Sequence, residues 1–485
     1  MTEKVEIEFH NWSECKIKCS FAILNEISDV FSYFIPSAKF HPKYKAKKWD
    51  GKIRLIDKRS KTIPFGLLKR LQNYCRYQDY DFITDVNLKD NDFTKEEAED
   101  FIAQLELPFA VRDYQIDSFV HIMKKQRSII VSPTASGKSL IIYLIIQFLY
   151  QMERTTLMIV PTVNLVTQMK SDFDEYALRL DEPLPVQEVY AGKTKEIQSP
   201  IYLSTWQSLQ NIDKYWFRQF DSVIIDETHL ATGNTLQKIL EYCSEADFRV
   251  GLTGTLSGEK VHEMLLIAAI GEPKKIVTTS ELIEQNFLSN LNIKCLILNH
   301  EDAPSNMNYQ DEISYLISHE KRNQFLTNLA SNLEGNTLLL FNRVEEHGKV
   351  LFSILEEQVQ NKNLFFMAGE TDAEIRENIR QHVKSEHSDN IIVASSGVFS
   401  TGVNIPALHN VIFASPTKSK IRVLQSIGRI LRRHDSKQTA IVYDISDRLH
   451  PKRKNYTFSH FESRYQYYIE EDFKTRYFDL PLKSA

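Results

Sequence analysis

The 485-residue chain has no run near the roughly 18 consecutive apolar residues that a membrane span needs. A bilayer-crossing helix is therefore not expected. Its opening text, MTEKVEIEFH, has no apolar stretch of the kind a secretory leader carries, so no leader is expected. Cysteine is scarce, with five residues at Cys15, Cys19, Cys75, Cys243 and Cys295. Only the first two lie close together, and no second pair completes a zinc spacing. A disulfide framework and a structural zinc site are thereby disfavoured, and reduced cytosolic thiols are expected. There is no Gly/Ser linker, no low-complexity tract and no internal repeat, which removes the disordered and solenoid classes.

What is present is a globular composition. Apolar residues make up 42% and charged residues 25%, enough for large cores, and the length suits about three domains of roughly 100–200 residues. The net charge of -5 conceals an asymmetry. Residues 39–76 carry 13 Lys/Arg against 2 Asp/Glu, whereas residues 77–106 carry 2 against 10. The basic block also holds Phe40, Tyr44, Trp49, Phe65 and Tyr74. Cations interleaved with aromatics suit a phosphate backbone plus base stacking, with Lys43, Lys45, Lys47, Lys48 and Trp49 as contacts. The competing reading is a solvated basic surface whose aromatics form a small core.

Short apolar runs (Val5 to Phe9, Ile53 to Ile56) and helical text (Ala22 to Phe34, Phe65 to Tyr77) fill residues 1–90. Around 91–106, Thr94 followed by Lys95, Glu96 and Glu97 has the text of a capped helix. From about 109, β-rich runs alternate with helical patterns. Ser128–Val131, Thr156–Val160, Ile201–Ser204, Ser222–Ile225 and Arg249–Leu252 form one series. Thr337–Phe341, Leu364–Met367, Asn390–Ala394, Asn410–Phe413 and Thr439–Tyr443 form another. Runs this short, separated by helices, predict buried parallel strands, and two series predict two α/β sheets. Residues 451–485 read as a helical extension.

In open α/β sheets ligands bind at the carboxyl ends of strands, and the polar clusters of this chain follow its strands. After Val131 comes SPTASGKS, then a helix. This fits the end of G-x-x-x-x-G-K-[ST], with Ser132 in the first glycine position. Thr134, Ala135, Ser136 and Gly137 would present loop amides to phosphate, Lys138 would reach the β and γ phosphates, and Ser139 would hold Mg2+. After Ile225 comes Asp226-Glu227-Thr228-His229: one carboxylate for the metal, the next to activate water. His229 could couple sites or satisfy a local hydrogen bond. Thr253-Gly254-Thr255 follows a third strand. Upstream, Arg112 and Gln115 precede the first strand, and a Gln amide can pair with an adenine edge. In QSIGRILRR, Gln425, Gly428, Arg429, Arg432 and Arg433 read as helical, so Arg429 and Arg432 would share a face and act as arginine fingers.

The P-loop, DETH, TGT and QSIGRILRR, in this order, resemble superfamily 2 helicases of the DExH type over about residues 109–445. The basic text FHPKYKAKKWDGKIRLID followed by PFGLL is similar to the N-terminal domain of phage UvsW-type helicases. The resemblance implies two tandem RecA-like lobes, parallel sheets with flanking helices, plus a small basic N-terminal α+β domain. It implies ATP and Mg2+ as cofactors and Gln115 as the adenine reader. Pro161, Thr162, Gln168 and Thr205 are implied to touch the nucleic-acid backbone. Phe341, Asn342 and Arg343 resemble motif IV; Gly369, Thr371 and Arg376 the motif after it; Ser400, Thr401, Gly402 and Asn404 motif V, which joins the nucleotide to the bound strand. Phe341, Arg343, Ser400 and Thr401 are thereby implied to contact nucleic acid, and Gly402 the nucleotide. Ser132 and Ala135 depart from the Gly or Ala, and the Gly, usual at their positions.

The expected organisation is 1–90, a nucleic-acid-binding domain; 91–108, an acidic helical linker; 109–280, the first lobe; 281–450, the second; and 451–485, an extension. The resemblance implies an ATP-dependent helicase on branched or single-stranded DNA, or an RNA-DNA hybrid. Junction migration, fork regression and R-loop removal, moving 3′ to 5′, belong to that family. A monomer in the cytoplasm, of the host if the chain is viral, is expected. The alternatives are an RNA helicase and a nucleotide-gated binding or annealing module.

Overall fold

The structure is a computed structural model that describes residues 3–180, 182–190, 192–301, 303–385, 389–401, 405, 407–451 and 453–482. Contacts divide it into two compact units, Met1–Ser132 with Gly137–Ile276 and Pro133–Ser136 with Val277–Ala485.

The first unit opens with six short strands: β1 (Lys4–Phe9), β2 (Glu14–Lys18), β3 (Ser32–Phe34), β4 (Lys52–Arg54), β5 (Thr62–Pro64) and β6 (Asp81–Thr84). Four form a sheet in the order β5-β2-β1-β6, while β3 and β4 pair separately. Alternation puts Val5, Ile7, Cys15 and Ile17 on the buried face. Helices Phe21–Val30 and Leu68–Tyr77 cover that face with Ile23, Leu24, Ile27, Leu68 and Leu71. The helical text expected to reach Phe34 stops at Val30, because Ser32–Phe34 pairs with distant β4 instead.

The acidic segment folds as its caps dictate. Glu97 N–H donates to Thr94 Oγ1 at 3.1 Å, and Thr94 N–H donates to Glu97 Oε2 at 2.6 Å. The helix Lys95–Gln104 is more than a linker. Its Phe101 joins Phe93, Phe119 and Phe148 in an aromatic cluster with centroids 5.1 to 5.8 Å apart, inside the core of the next sheet.

That sheet has seven parallel strands: β7 (Arg127–Val131), β8 (Thr156–Val160), β9 (Val186–Val189), β10 (Ile201–Thr205), β11 (Ser222–Asp226), β12 (Phe248–Thr253) and β13 (Glu272–Lys275). Their order is β13-β7-β12-β11-β8-β10-β9. The two strands without an apolar run, β9 and β13, are the edges, where one side meets solvent. The helix Lys138–Gln151 is apolar around its circumference and is buried accordingly from Leu140 to Ile146.

The N-terminal domain is docked at the opposite end of this sheet from the strand C-termini. Arg127, the first residue of β7, donates from Nη1 to Trp12 O at 3.0 Å, and Arg249 of β12 donates from Nη2 to Ser13 Oγ at 2.7 Å. Met264, Ile267 and Ala268 join the N-terminal core. Gly66 is pressed against the helix Lys260–Ala269, which carries these three residues, so closely that a Cβ would fall 2.0 Å from Ile267 O.

The second unit holds seven more parallel strands: β14 (Asn290–His300), β15 (Thr337–Phe341), β16 (Asn363–Met367), β17 (Asn390–Ser395), β18 (Asn410–Phe413), β19 (Thr439–Arg448) and β20 (Thr475–Leu482). Their order is β16-β17-β15-β18-β19-β14-β20. Residues 451–485, expected as helical, supply the helix Tyr456–Glu470 and then β20, which pairs with β14 as an edge strand. The helix is tied down by Arg464, whose guanidinium donates to the carboxylate of Asp444 in β19. No helix among the described residues is long and apolar enough to cross a membrane.

Candidate nucleotide and nucleic-acid sites

Strands β7, β12 and β11 are neighbours, so the P-loop, the TGT segment and the DETH segment emerge side by side. Gly137 has φ 78°, and a Cβ there would lie 2.4 Å from Gln115 Nε2. Both facts favour glycine. Ala135 has φ 68°, so it takes a left-handed conformation that glycine adopts freely. Ser132 is used through its backbone: its N–H donates to Thr253 O at 3.0 Å, and its carbonyl accepts from Lys138 Nζ at 3.2 Å. Serine serves there as well as glycine. Lys138 and Ser139 open the long helix, so its N-terminus, the positive end of its dipole, faces the loop. Ser139 Oγ lies 2.8 Å from the hydroxyl of Tyr176, a partner on the next helix that no sequence motif announces. Burial raises that phenol to about 12.

Asp226 ends β11, and Glu227 turns left-handed at φ 51°. Thr228 shapes the turn: its Oγ1 lies 3.0 Å from Ile225 O and 3.1 Å from Leu252 O. Gly251 of β12 leaves room for it, since a Cβ there would lie 2.4 Å from that oxygen. His229 Nδ1 is 3.0 Å from Thr253 Oγ1 and 3.2 Å from Glu227 Oε2, so the histidine joins the DETH and TGT segments. Burial, and then the adjacent Glu227 carboxylate, push Asp226 up to about 6, against the pull of Lys138. Two adjacent carboxylates near a lysine form a site that a divalent cation would neutralise. Among the described residues no group of three or more His, Cys, Asp or Glu makes a self-contained metal centre. A cation held partly by phosphate oxygens needs no such group. Gln115 is buried; its Oε1 accepts from Arg112 N–H at 3.0 Å and its Nε2 faces Gly137 O at 3.4 Å, so it braces the P-loop. Arg112 Nη1 donates to Tyr114 OH at 2.9 Å.

The adjoining strands β8 and β10 end in Pro161-Thr162 and Thr205, and both threonines cap the helices that follow. A groove of about 540 Å³ opens here, lined by Pro161, Thr162, Tyr190, Lys195, Thr205 and Asn211 among others. Tyr190 and Lys195 lie outside every motif read from the sequence. Gln168 is exposed on the helix Val163–Tyr176 and does not line this groove.

In the second unit the motifs following β15, β16 and β17 are again neighbours. Phe341 is a correction to the expectation of a nucleic-acid contact. Its ring is fully buried, stacked on Phe366 with centroids 5.6 Å apart, because the residue ends a central strand and faces the core. Asn342 and Arg343 are exposed, and Arg343 pairs with Glu346 at 3.3 Å. Thr371 Oγ1 accepts from Ala368 N–H at 3.0 Å, and Arg376 donates to Gly369 O at 3.0 Å, which folds the loop after β16. Ser400 and Thr401 end the helix Ser396–Thr401; Gly402 and Asn404 lie outside the described residues. The helix Lys420–Ile430 contains Arg429 but stops before Arg432, so the two do not share a helical face. Buried Lys437 donates to Ile430 O at 2.5 Å, satisfying a terminal carbonyl where the helix ends. The Arg429 guanidinium lies 5.6 Å from the centroid of the Phe399 ring.

In the basic block Lys43, Lys45, Lys47 and Lys48 are exposed. Trp49 is not an open platform: its indole N–H donates to Lys52 O at 2.9 Å, and its ring meets His41 at 5.3 Å.

Three family models match the chain. That of the type III restriction enzyme res subunit matches residues 108–258, that of the N-terminal region of DNA helicase UvsW residues 4–85, and the helicase conserved C-terminal domain residues 320–434. The ATP-dependent DNA helicase uvsW of Enterobacteria phage T4 is 33% identical, over 97% of this chain and 98% of its own length. The crystal structure of T4 UvsW matches 99% of this chain and 100% of its own, with 31% identity and a TM-score of 0.52. The DNA 3'-5' translocase XPB2 of Sulfurisphaera tokodaii is 22% identical, over 68% of this chain and 80% of its own.

Proposed function

The chain belongs to the UvsW family of ATP-dependent DNA helicases, and from that premise we propose a substrate and a division of work among its residues. It is an enzyme that couples ATP hydrolysis to DNA unwinding. Its substrates in our reading are branched: junctions to be migrated, forks to be regressed and R-loops to be unwound, in recombination, repair and replication. It acts as a monomer in the cytoplasm of a phage-infected host.

The observation that carries this reading is the grouping of motifs at the carboxyl end of one sheet. β7, β12 and β11 carry the phosphate loop, the TGT segment and the paired carboxylates, and β8 and β10 beside them carry the groove. Lys138 binds the β and γ phosphates of ATP, while the loop amides and helix N-terminus cradle them. Ser139 and Asp226 would hold Mg2+, which when bound draws charge from the phosphate oxygens. Ser139 would exchange its bond with Tyr176 for that role. Glu227 takes the proton of the attacking water, and His229, hydrogen-bonded to Thr253, lies beside its carboxylate. Arg429 and Arg432 stabilise charge on the departing γ-phosphate. The groove of Thr162 and Thr205, with Ser400 and Thr401, grips the DNA backbone, and the basic N-terminal block holds a duplex arm.

Two measurements test it. Glu227→Gln should keep ATP binding and lose turnover by about 10²–10⁴-fold; normal hydrolysis by this variant would remove the general base. ATPase rates with single-stranded DNA, duplex, fork, four-way junction and RNA, side by side, should be highest for fork and junction. Equal rates on all five, or a preference for RNA, would remove the branched-DNA reading.

A further inference from the structure

The basic block offers five aromatic rings, and the fold uses four of them. Phe65 is in the N-terminal core, with the Arg127 guanidinium 4.8 Å from its ring centroid. Tyr74 donates to Glu26. Tyr44 meets Phe34 at 5.9 Å, and Trp49 meets His41. Phe40 alone is left in water, with 69% of its surface exposed and no ring–ring contact among the described residues.

A single exposed phenylalanine is ordinary on a protein surface. Three further observations set this one apart. First, it is rigidly presented. It ends the 3-10 turn Pro36–Phe40, which Pro36 starts and buried Ala38 anchors; Ala38 N–H donates to Ile35 O at 2.9 Å, and His41 N–H to Ala38 O at 2.8 Å. Second, its neighbours are cations without counter-charges. Lys39, Lys43, Lys45, Lys47 and Lys48 make no ion pair among the described residues, and Asp50, the one acid beside them, is held by Arg54 at 2.6 Å. Third, the nearest of these cations, Lys39, has its ammonium 5.4 Å from the Phe40 ring centroid, so a flat ring and a positive charge are offered together.

We propose that Phe40 is a stacking platform for one unpaired nucleobase at a DNA branch point, the flanking lysines binding its backbone. A base inside a duplex has both faces covered by its neighbours, whereas an unpaired base has a free face for the ring. The inference rests on the reading of the basic block as a DNA-binding surface and adds the feature that lets this surface tell a branch from plain duplex.

The test uses the full chain and a forked DNA carrying 2-aminopurine at the first unpaired nucleotide, with a blunt duplex of the same sequence as control. Phe40→Ala should weaken fork binding by roughly tenfold and duplex binding by less than about twofold, with the DNA-free ATPase unchanged. Wild type should quench the 2-aminopurine, Phe40→Ala should not, and Phe40→Trp should restore the quench. The Lys43→Ala/Lys45→Ala double variant should weaken both DNAs and lower the salt slope by about 1–2. If only the lysine variant weakens binding, the stacking proposal falls and the DNA-binding surface stands. If neither variant changes binding, both fall.

Discussion

Asp226 carries a charge that its surroundings disfavour until a cation arrives. Its folded-state pKa of about 6 lies above the ordinary value of 3.8. Between these values the folded chain keeps a proton that the unfolded chain has released. The penalty is therefore absent below about pH 4, grows as pH rises through 4–6, and is complete above. Asp226→Asn should raise the stability of the nucleotide-free protein at pH 7 by about 1–3 kcal/mol and leave it nearly unchanged at pH 4, as read by urea unfolding. An equal gain at both pH values would show that the effect is not electrostatic. The same substitution should abolish turnover, the exchange of stability for function expected at an active site. Lys138, Asp226 and Glu227 were legible in the sequence because their spacing from the strands is local. Tyr176, 37 residues from Ser139, was not. Phe341 was misread because a strand's last residue can face either the core or the solvent, and only the register decides.

Among the elements, β12 has a role its residues do not advertise. It separates β7 from β11, and its Gly251 is the space into which Thr228 fits. Gly251→Ala should push the DETH turn off the sheet, with a loss of about 1–3 kcal/mol and a larger fall in ATP turnover than in ATP binding. Unchanged turnover would mean that the turn accommodates the methyl by shifting as a whole. In the first sheet β7, β8, β10, β11 and β12 were legible as short apolar runs, and in the second β15, β17, β18 and β19; the 11-residue central strand β14 was not. Of the edges, β16 was legible through its run Leu364–Met367, whereas β9, β13 and β20 were not, since an edge strand can form with little burial. The helix Lys420–Ile430 was expected to run on through Arg433; it stops at Ile430, whose carbonyl accepts from buried Lys437.

On the scale of the molecule, the N-terminal domain and the first sheet make one unit. Arg127 and Arg249 reach from β7 and β12 into the N-terminal domain, and Gly66 closes the contact. A Cβ at 66 would lie 2.0 Å from one backbone carbonyl and 2.8 Å from the next, so neither side can yield by a rotamer change. Gly66→Ala should undock the domain, seen as faster proteolytic cleavage in the coil at residues 86–93 and as a stability loss of about 1–3 kcal/mol. Cleavage at the wild-type rate would mean that the contact absorbs the methyl and the domain stays docked. A DNA-binding surface built rigidly on the first sheet would move with it, so any motion of that lobe would be delivered to the DNA arm.

By itself the sequence determined the chemistry: a phosphate loop, a carboxylate pair, arginines, a basic block, and the alternation that makes two parallel sheets. These signals are local, because strand, loop and helix follow one another within some twenty residues. Tertiary structure alone decided the grouping. Along the chain the nucleotide motifs are interrupted by those for DNA, as β7, β8, β10, β11 and β12 succeed one another. In the sheet the order becomes β7-β12-β11-β8-β10, which collects the first kind on one side and the second on the other. Strand order is fixed by which buried faces pair across long loops, and no residue's neighbours in sequence record it.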